Sequence, residues 1–180
     1  MRLTIVGKGP SWIECPFETQ ELWGTATCLL VDGLKDHDFT RVFAFDCDAG
    51  IPPAIEAAKA RNIPLMAPFE FATEPFPSVD IVRRFRSSFF LNTMSRMIAY
   101  AIYLKYNRLH IYGIDQGPGW GLQQSKPHVA YWIGRAEQAG IDVRLGRGSL
   151  IWTYRVGDPP DAEPVLQPEE MNIVNHIGLK

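Results

Sequence analysis

Residues 99–115 read AYAIYLKYNRLHIYGID. The first half places apolar residues at helical spacing, and the second alternates apolar and polar residues at strand spacing. Only Tyr106 and Asn107 separate the two. The same order recurs at 127–145, where PHVAYWIGRAEQA is stopped by Gly140 and IDVRL follows. Two helix-then-strand units in series predict parallel strands joined by right-handed crossovers, and so an α/β layer architecture with a largely parallel central sheet.

Working outward, β-prone runs fall at 3–6, 22–25, 41–45, 64–67, 109–114, 142–145 and 149–154. Helical patterns fall at 26–34, 53–61, 79–85, 91–106 and 127–139. The helix at 91–106 is the longest and most apolar. Met94, Met97, Ile98, Ala101, Ile102 and Leu104 leave it little polar surface, which predicts a central helix pressed on the sheet. The stretch 64–90 carries Pro64, Pro68, Pro75 and Pro77 among phenylalanines and reads as an irregular surface connection or a lid. Residues 1–154 form one domain on this reading, and 155–180 a polar, proline-rich arm. The apolar end of that arm, at 171–177, would form a short helix docking on a second copy of the chain, hence an expected homo-oligomer.

Composition narrows the classes. Across 180 residues, 46% are hydrophobic and 21% charged, and the formal net charge of −2 gives no pull toward nucleic acid or a membrane surface. No run approaches the ~20 apolar residues of a membrane span, and the apolar start is too short for a signal peptide. The three cysteines, Cys15, Cys28 and Cys47, form no C-x-x-C pair and read as reduced structural thiols of a cytoplasmic protein.

In an open parallel sheet, ligands bind beyond the carboxyl ends of the strands. Four polar segments fall there: 7–11, 46–51, 115–124, and Asn92 with Thr93 ahead of the long helix. Gly7, Lys8, Gly9, Pro10 and Ser11 follow the first strand directly, and amides exposed in such a turn make an anion nest. The turn lacks the third glycine of a dinucleotide fingerprint and the Gly-Lys-Ser/Thr end of a P-loop. Asp46 and Asp48 stand where the third strand ends, with carboxylates suited to ribose hydroxyls or a divalent cation. Asp115 enters a loop containing GPGWG, a composition typical of binding loops. Of the four histidines, His37 and His176 lie in polar segments, His110 alternates with apolar residues in a strand, and His128 lies in the first turn of the helix after the glycine loop. His128 is therefore the candidate base. No Ser-His-Asp order, metal-binding His pair or Gly-x-Ser-x-Gly elbow is present.

With those residues in place, the chain resembles the Rossmann-like superfamily of family-42 sialyltransferases and motility-associated flagellin glycosyltransferases. It is most similar to small phage- and prophage-encoded members. The resemblance rests on the Gly-x-Gly-Pro-Ser turn, LWGT at 22–25, AYAIYLKYNRLHIYGID at 99–115, YWIGRAEQAGIDV at 131–143 and the following GSLIW. It implies a single-domain three-layer sandwich and a nucleotide site built from Gly7, Lys8, Gly9, Pro10, Ser11 and Thr93. The chain departs from the family at Lys8, where asparagine is usual, and at Thr25 or Ala26, where a nucleotide-contacting asparagine is expected. The family's histidine base aligns nearer Gln124 than His128, and its phosphate-binding tyrosines have no counterparts.

Three functions follow as expectations. The first is a small glycosyltransferase-like transferase that takes a nucleotide or nucleotide-sugar and needs no cofactor. Its nucleotide site would comprise Gly7 to Ser11, Asn92, Thr93 and Asp46, with His128 and Asp115 catalytic. The second is a phage accessory module that binds a nucleotide or a protein without turnover. The third is a pterin or nucleoside pyrophosphokinase-like transferase, which alone would require Mg2+ at the aspartates.

Overall fold

The computed structural model describes residues 1–19, 21–46, 51–67, 72–115, 120–147, 149 and 151, with backbone only for 120–123. Seven strands form one sheet: β1 (Arg2–Val6), β2 (Leu22–Thr25), β3 (Arg41–Phe43), β4 (Leu65–Ala67), β5 (Glu74–Pro75), β6 (Arg108–Tyr112) and β7 (Asp142–Leu145). Their order is β5-β4-β3-β2-β1-β6-β7, and every pairing is parallel. Four helices join them: α1 (Ile51–Ala60), α2 (Ser78–Phe85), α3 (Thr93–Tyr103) and α4 (Trp120–Gln138). Two 3-10 turns cover Pro10–Glu14 and Ala26–Leu30. The chain lays down β1 to β5 on one side, then returns to place β6 against the other edge of β1. This is a doubly wound, Rossmann-like α/β sandwich.

Strand periodicity sorts the core. Leu3, Ile5, Trp23, Phe43, Leu109 and Ile111 turn to one face, where α3 and α4 cover them with Met97, Ile98, Trp132 and Ile133. Val6, Leu22, Val42 and Leu65 turn to the other, beneath α1 and the turn at Ala26–Leu30. The apolar helix expected at the centre is α3: Met97, Ile98, Ala99 and Ala101 are wholly buried. Each large side chain buried in this way contributes about 1.5–3 kcal/mol.

Several boundaries differ from expectation. The helix read from residue 127 begins at Trp120. Proline favours a first helical turn because it lacks the N–H that is unpaired there anyway, but Pro127 lies inside α4 and forgoes one internal bond. His128 therefore sits in the third turn, not the first. The helical pattern at 26–34 condenses to a 3-10 turn. The 64–90 connection is not merely superficial: it contributes β5 and α2 and buries Phe76 and Ile81 in the core. Of the strand read at 149–154, Ser149 and Ile151 lie outside any strand and the rest falls outside the described residues. So do Cys47, Asp48, residues 116–119, and the arm at 155–180 with its expected oligomer contact.

Gly7 and Gly113 need glycine because each backbone approaches the other. A Cβ on Gly7 would lie 2.3 Å from the Gly113 carbonyl oxygen, and one on Gly113 2.2 Å from that of Gly7. Gly113 also has φ +64. Gly140 has φ +78 but open space around its Cβ direction. Alanine at 140 is expected to cost only the left-handed backbone penalty, about 1–2 kcal/mol. Alanine at 113 adds a backbone clash and should cost at least ~3 kcal/mol. Urea unfolding of Gly113→Ala and Gly140→Ala measures the difference, and equal losses would refute the contact.

Candidate functional site

The sheet reverses its winding between β1 and β6, where an open α/β fold usually leaves its crevice. Here that point is closed. The Gly7 N–H donates to the Tyr112 carbonyl at 2.9 Å and the Gly9 N–H to the Gly113 carbonyl at 2.8 Å. The Ser11 N–H donates to Asp115 Oδ2 at 2.7 Å, and the Ser11 hydroxyl donates to Asp115 Oδ1. That hydroxyl accepts in turn from the Gly113 N–H at 2.8 Å. Ser11 and Asp115 are both buried, so this clasp is a fully paired polar network in the interior. The amides of Gly7, Gly9 and Ser11 are spent on the neighbouring strand, and Pro10 has none. The exposed side chains of the turn are Lys8 and Pro10, and Lys8 carries its charge.

The cavity opens one step sideways, over the carboxyl ends of β1, β2 and β3. It holds about 440 Å³. Lys8 follows β1, Thr25 ends β2 with Ala26 and Thr27 after it, and Asp46 follows β3; residues 91–94 bring the start of α3, and Gln124 and Ser125 the wall of α4. Each group is held for a local reason. Asn92 caps α3, its Oδ1 accepting from the Ser95 N–H at 3.0 Å. Asp46 accepts from the Thr93 hydroxyl at 2.7 Å and from the Thr93 N–H at 3.3 Å. The Thr93 hydroxyl accepts in turn from the Phe45 N–H at 3.1 Å. A carboxylate at a helix N-terminus is stabilised by the helix dipole, so Asp46, three residues past β3, anchors α3.

Behind this wall, the Arg96 guanidinium lies 4.9 Å from the Phe45 ring centroid and 5.5 Å from that of Phe90. Burial lowers its pKa, and the charge of Asp46 works in the opposite direction. On the facing wall, Thr25 Oγ is 3.1 Å from Thr27 Oγ and 3.2 Å from Cys28 Sγ. Burial pushes the Cys28 thiol up to about 11. Cys15 is likewise buried and pushed up to about 11 by burial. Both are neutral thiols near pH 7.

The structure thus separates the residues singled out in the sequence. Lys8, Asp46, Asn92 and Thr93 share the cavity. Gly7, Gly9, Ser11 and Asp115 form the clasp beside it, and Pro10 opens the first 3-10 turn. His128 is not among the described residues bounding the cavity. Its ring stacks on Phe89 at 3.8 Å with an 18° interplanar angle, and its Nδ1 is buried without a partner among the described residues. His110 lies in β6, where burial first and Arg144 next depress its pKa. Thr27, Leu91 and Ser125 line the cavity without having been singled out. Thr27 had a usable signal, a hydroxyl just past a strand end. Leu91 and Ser125 had none, since an apolar loop residue and a helical serine are common everywhere. No three His, Cys, Asp or Glu side chains among the described residues group to hold a metal ion. No described helix is long and apolar enough to cross a membrane.

No protein-family model matches the chain, and no curated protein matches it. One solved structure is similar in fold: the sialyltransferase CstII from Campylobacter jejuni in complex with the substrate analogue CMP-3FNeuAc. The two share 13% sequence identity at a TM-score of 0.44, over 97% of this chain and 98% of that one.

Two outcomes test the geometry. Asp115→Asn puts an amide donor against the Ser11 donors and should cost about 1–3 kcal/mol of stability; an unchanged melting temperature would show that the clasp does not hold the fold. The Cys28 thiol titrates higher folded than the ~8.5 of a free thiol. The stability from its neutral form is thus complete below pH ~8.5 and lost as pH rises toward about 11. Cys28→Ala should flatten the fall in denaturant midpoint across that window.

Proposed function

We propose that the cavity binds a nucleotide or nucleotide-sugar and that the protein transfers the glycosyl group to an acceptor. The supporting observation is one cavity that combines a solvent-facing lysine, a pair of threonine hydroxyls and the N-terminus of a buried helix. Lys8 suits a phosphate, whose charge it offsets directly. The hydroxyls of Thr25 and Thr27 and the amide of Asn92 suit the ribose and base edges. In transfer, the bond from the anomeric carbon to the donor phosphate oxygen breaks, and the acceptor oxygen bonds to that carbon. The acceptor proton leaves to a base, and charge grows on the departing phosphate. Lys8 stabilises that charge where it develops, which is the form of assistance that raises rate.

A second reading, binding without turnover, is favoured by one feature. Asp46, the carboxylate among the described cavity residues, has both oxygens engaged by Thr93, and His128 stands off the cavity on Phe89. Asp46 is committed to holding α3, and His128 is not among the described residues that bound the cavity.

Thermal shift with CMP, UDP, GDP and ATP, each with and without magnesium, tests both. A stabilisation of several degrees by one nucleotide is expected. Lys8→Ala should weaken that nucleotide at least tenfold, in keeping with the loss of one charge-assisted bond. A flat response throughout would sink the nucleotide site. A shift seen only with ATP and magnesium would favour pyrophosphoryl transfer instead. Binding without release of nucleotide from any CMP-, UDP- or GDP-sugar would favour the second reading.

A further inference from the structure

On the side of the sheet opposite α3 and α4, the two halves are covered unequally. α1 and the turn at Ala26–Leu30 lie over Val6, Leu22, Val42 and Leu65. The residues of β6 and β7 that face the same way stay open: Arg108, Asp142 and Arg144 are exposed, and His110 is half-buried. Register sets Arg2, Arg108 and Asp142 abreast across β1, β6 and β7, and Thr4, His110 and Arg144 abreast in the next row of that face. Like charges directly opposite on neighbouring strands are destabilising unless an anion stands between them. Asp142 is already divided, 3.0 Å from Arg108 Nε and 3.7 Å from Arg144 Nε. Arg2 donates to the backbone carbonyl of Glu18. A cavity of about 390 Å³ opens here, bordered by Arg2, Arg108, Thr19 and Glu18. His110 registers the surplus of positive charge: burial first, then Arg144, Arg2 and Arg108 lower its pKa, with Asp142 acting the other way. Its Nε2 is buried without a hydrogen-bond partner among the described residues.

The chain itself carries the matching charge. Residues 158–170 read DPPDAEPVLQPEE, with Asp158, Asp161, Glu163, Glu169 and Glu170 and no lysine or arginine. Pro159, Pro160, Pro164 and Pro168 oppose a helix there and favour an extended chain. Connectivity delivers this stretch to the open face. Past β7, the Gly146 N–H donates to the Ile111 carbonyl at 2.9 Å and the Arg147 N–H to Glu14 Oε2 at 2.9 Å, so the chain leaves the strand still beside β6. From the buried Ile151 to Asp158 an extended chain spans up to ~24 Å, whereas the four residues of β7 run only about 13 Å. We propose that residues 158–170 of this same chain lie along the open face of β1, β6 and β7, with their carboxylates on Arg2, Arg108 and Arg144. The acidic stretch then separates the opposed arginines, and its backbone supplies hydrogen-bonding groups for His110 Nε2. Because the pairs face solvent, the docking depends on several charges acting together and weakens as salt rises.

Backbone relaxation NMR on the full chain tests it. At low salt the amides of residues 158–170 should show order parameters near ~0.8, as a rigid backbone does, and fall below ~0.6 in 1 M salt, where the Debye length is only ~3 Å. Asp158→Asn, Asp161→Asn, Glu163→Gln, Glu169→Gln and Glu170→Gln combined alter none of the described fold and should free the stretch at low salt to the same extent. Arg2→Gln with Arg108→Gln should do so from the other side, with a melting curve to show that this variant still folds; if it does not, the neutralised acidic stretch decides. Order parameters below ~0.6 in the wild type at low salt, or a stretch still ordered in either folded variant, overturn the docking. Order that is lost on dilution, together with a dimer mass by light scattering, assigns the carboxylates to a second copy and overturns docking within one chain.

Discussion

With no side chain on either residue, the backbones of Gly7 and Gly113 meet where β1 and β6 leave the sheet, and Ser11 and Asp115 close over the contact. Hydrogen bonds run both ways across that junction. The turn after β1 lends its amides to β6, and the carboxylate after β6 takes the amide and hydroxyl of Ser11. Two segments more than a hundred residues apart in sequence are thereby fixed to each other. The crevice usual at a reversal of winding is filled with protein. Any ligand that uses this edge of the sheet must lie over β2 and β3 instead, and that is where the cavity is found.

The consequence runs on into α3. With the clasp on the β1–β6 side, the cavity is bordered by the start of α3 and by Ile51 at the start of α1. Asn92 and Asp46 are committed to holding the α3 terminus. The same bonds that tie the segment after β3 to the start of α3 therefore also set the wall of the cavity. Thr93 on this wall and Ser95 in the first turn of α3 are both buried. Lys8 is the exposed, adaptable element opposite.

Much of this was legible in the chain because it is local. The helix-to-strand order at 99–115 is written in two adjacent periodicities, and α3 and β6 follow it closely. Asp46, Asn92 and Thr93 could be placed at the site because each stands at the end or start of an element. The division of labour between Asp115 and Asp46 could not be read. Both are aspartates just past strands, and what separates them is the partner each meets: Ser11 from the opposite end of the chain, or Thr93 from a following helix. The early start of α4 was hidden for a related reason. Pro127 is a sound start signal in isolation, and only packing against α3 and the sheet carries the helix through it. β5, two residues long, exists only as the partner of β4.

The glycine turn illustrates how one motif serves two physical ends. A Gly-x-Gly turn after a strand is suited to approaching a phosphate because nothing projects from its backbone. That property equally suits it to approaching another backbone, and in this chain Gly113 is what it approaches. The two uses compete for the same N–H groups. With Gly7, Gly9 and Ser11 already donating within the protein, the positive charge for an anion has to come from a side chain. Lysine at position 8 supplies it from an exposed side chain of the turn. An uncharged residue there would leave the turn with little to offer a phosphate, so the lysine and the closed clasp are best understood together.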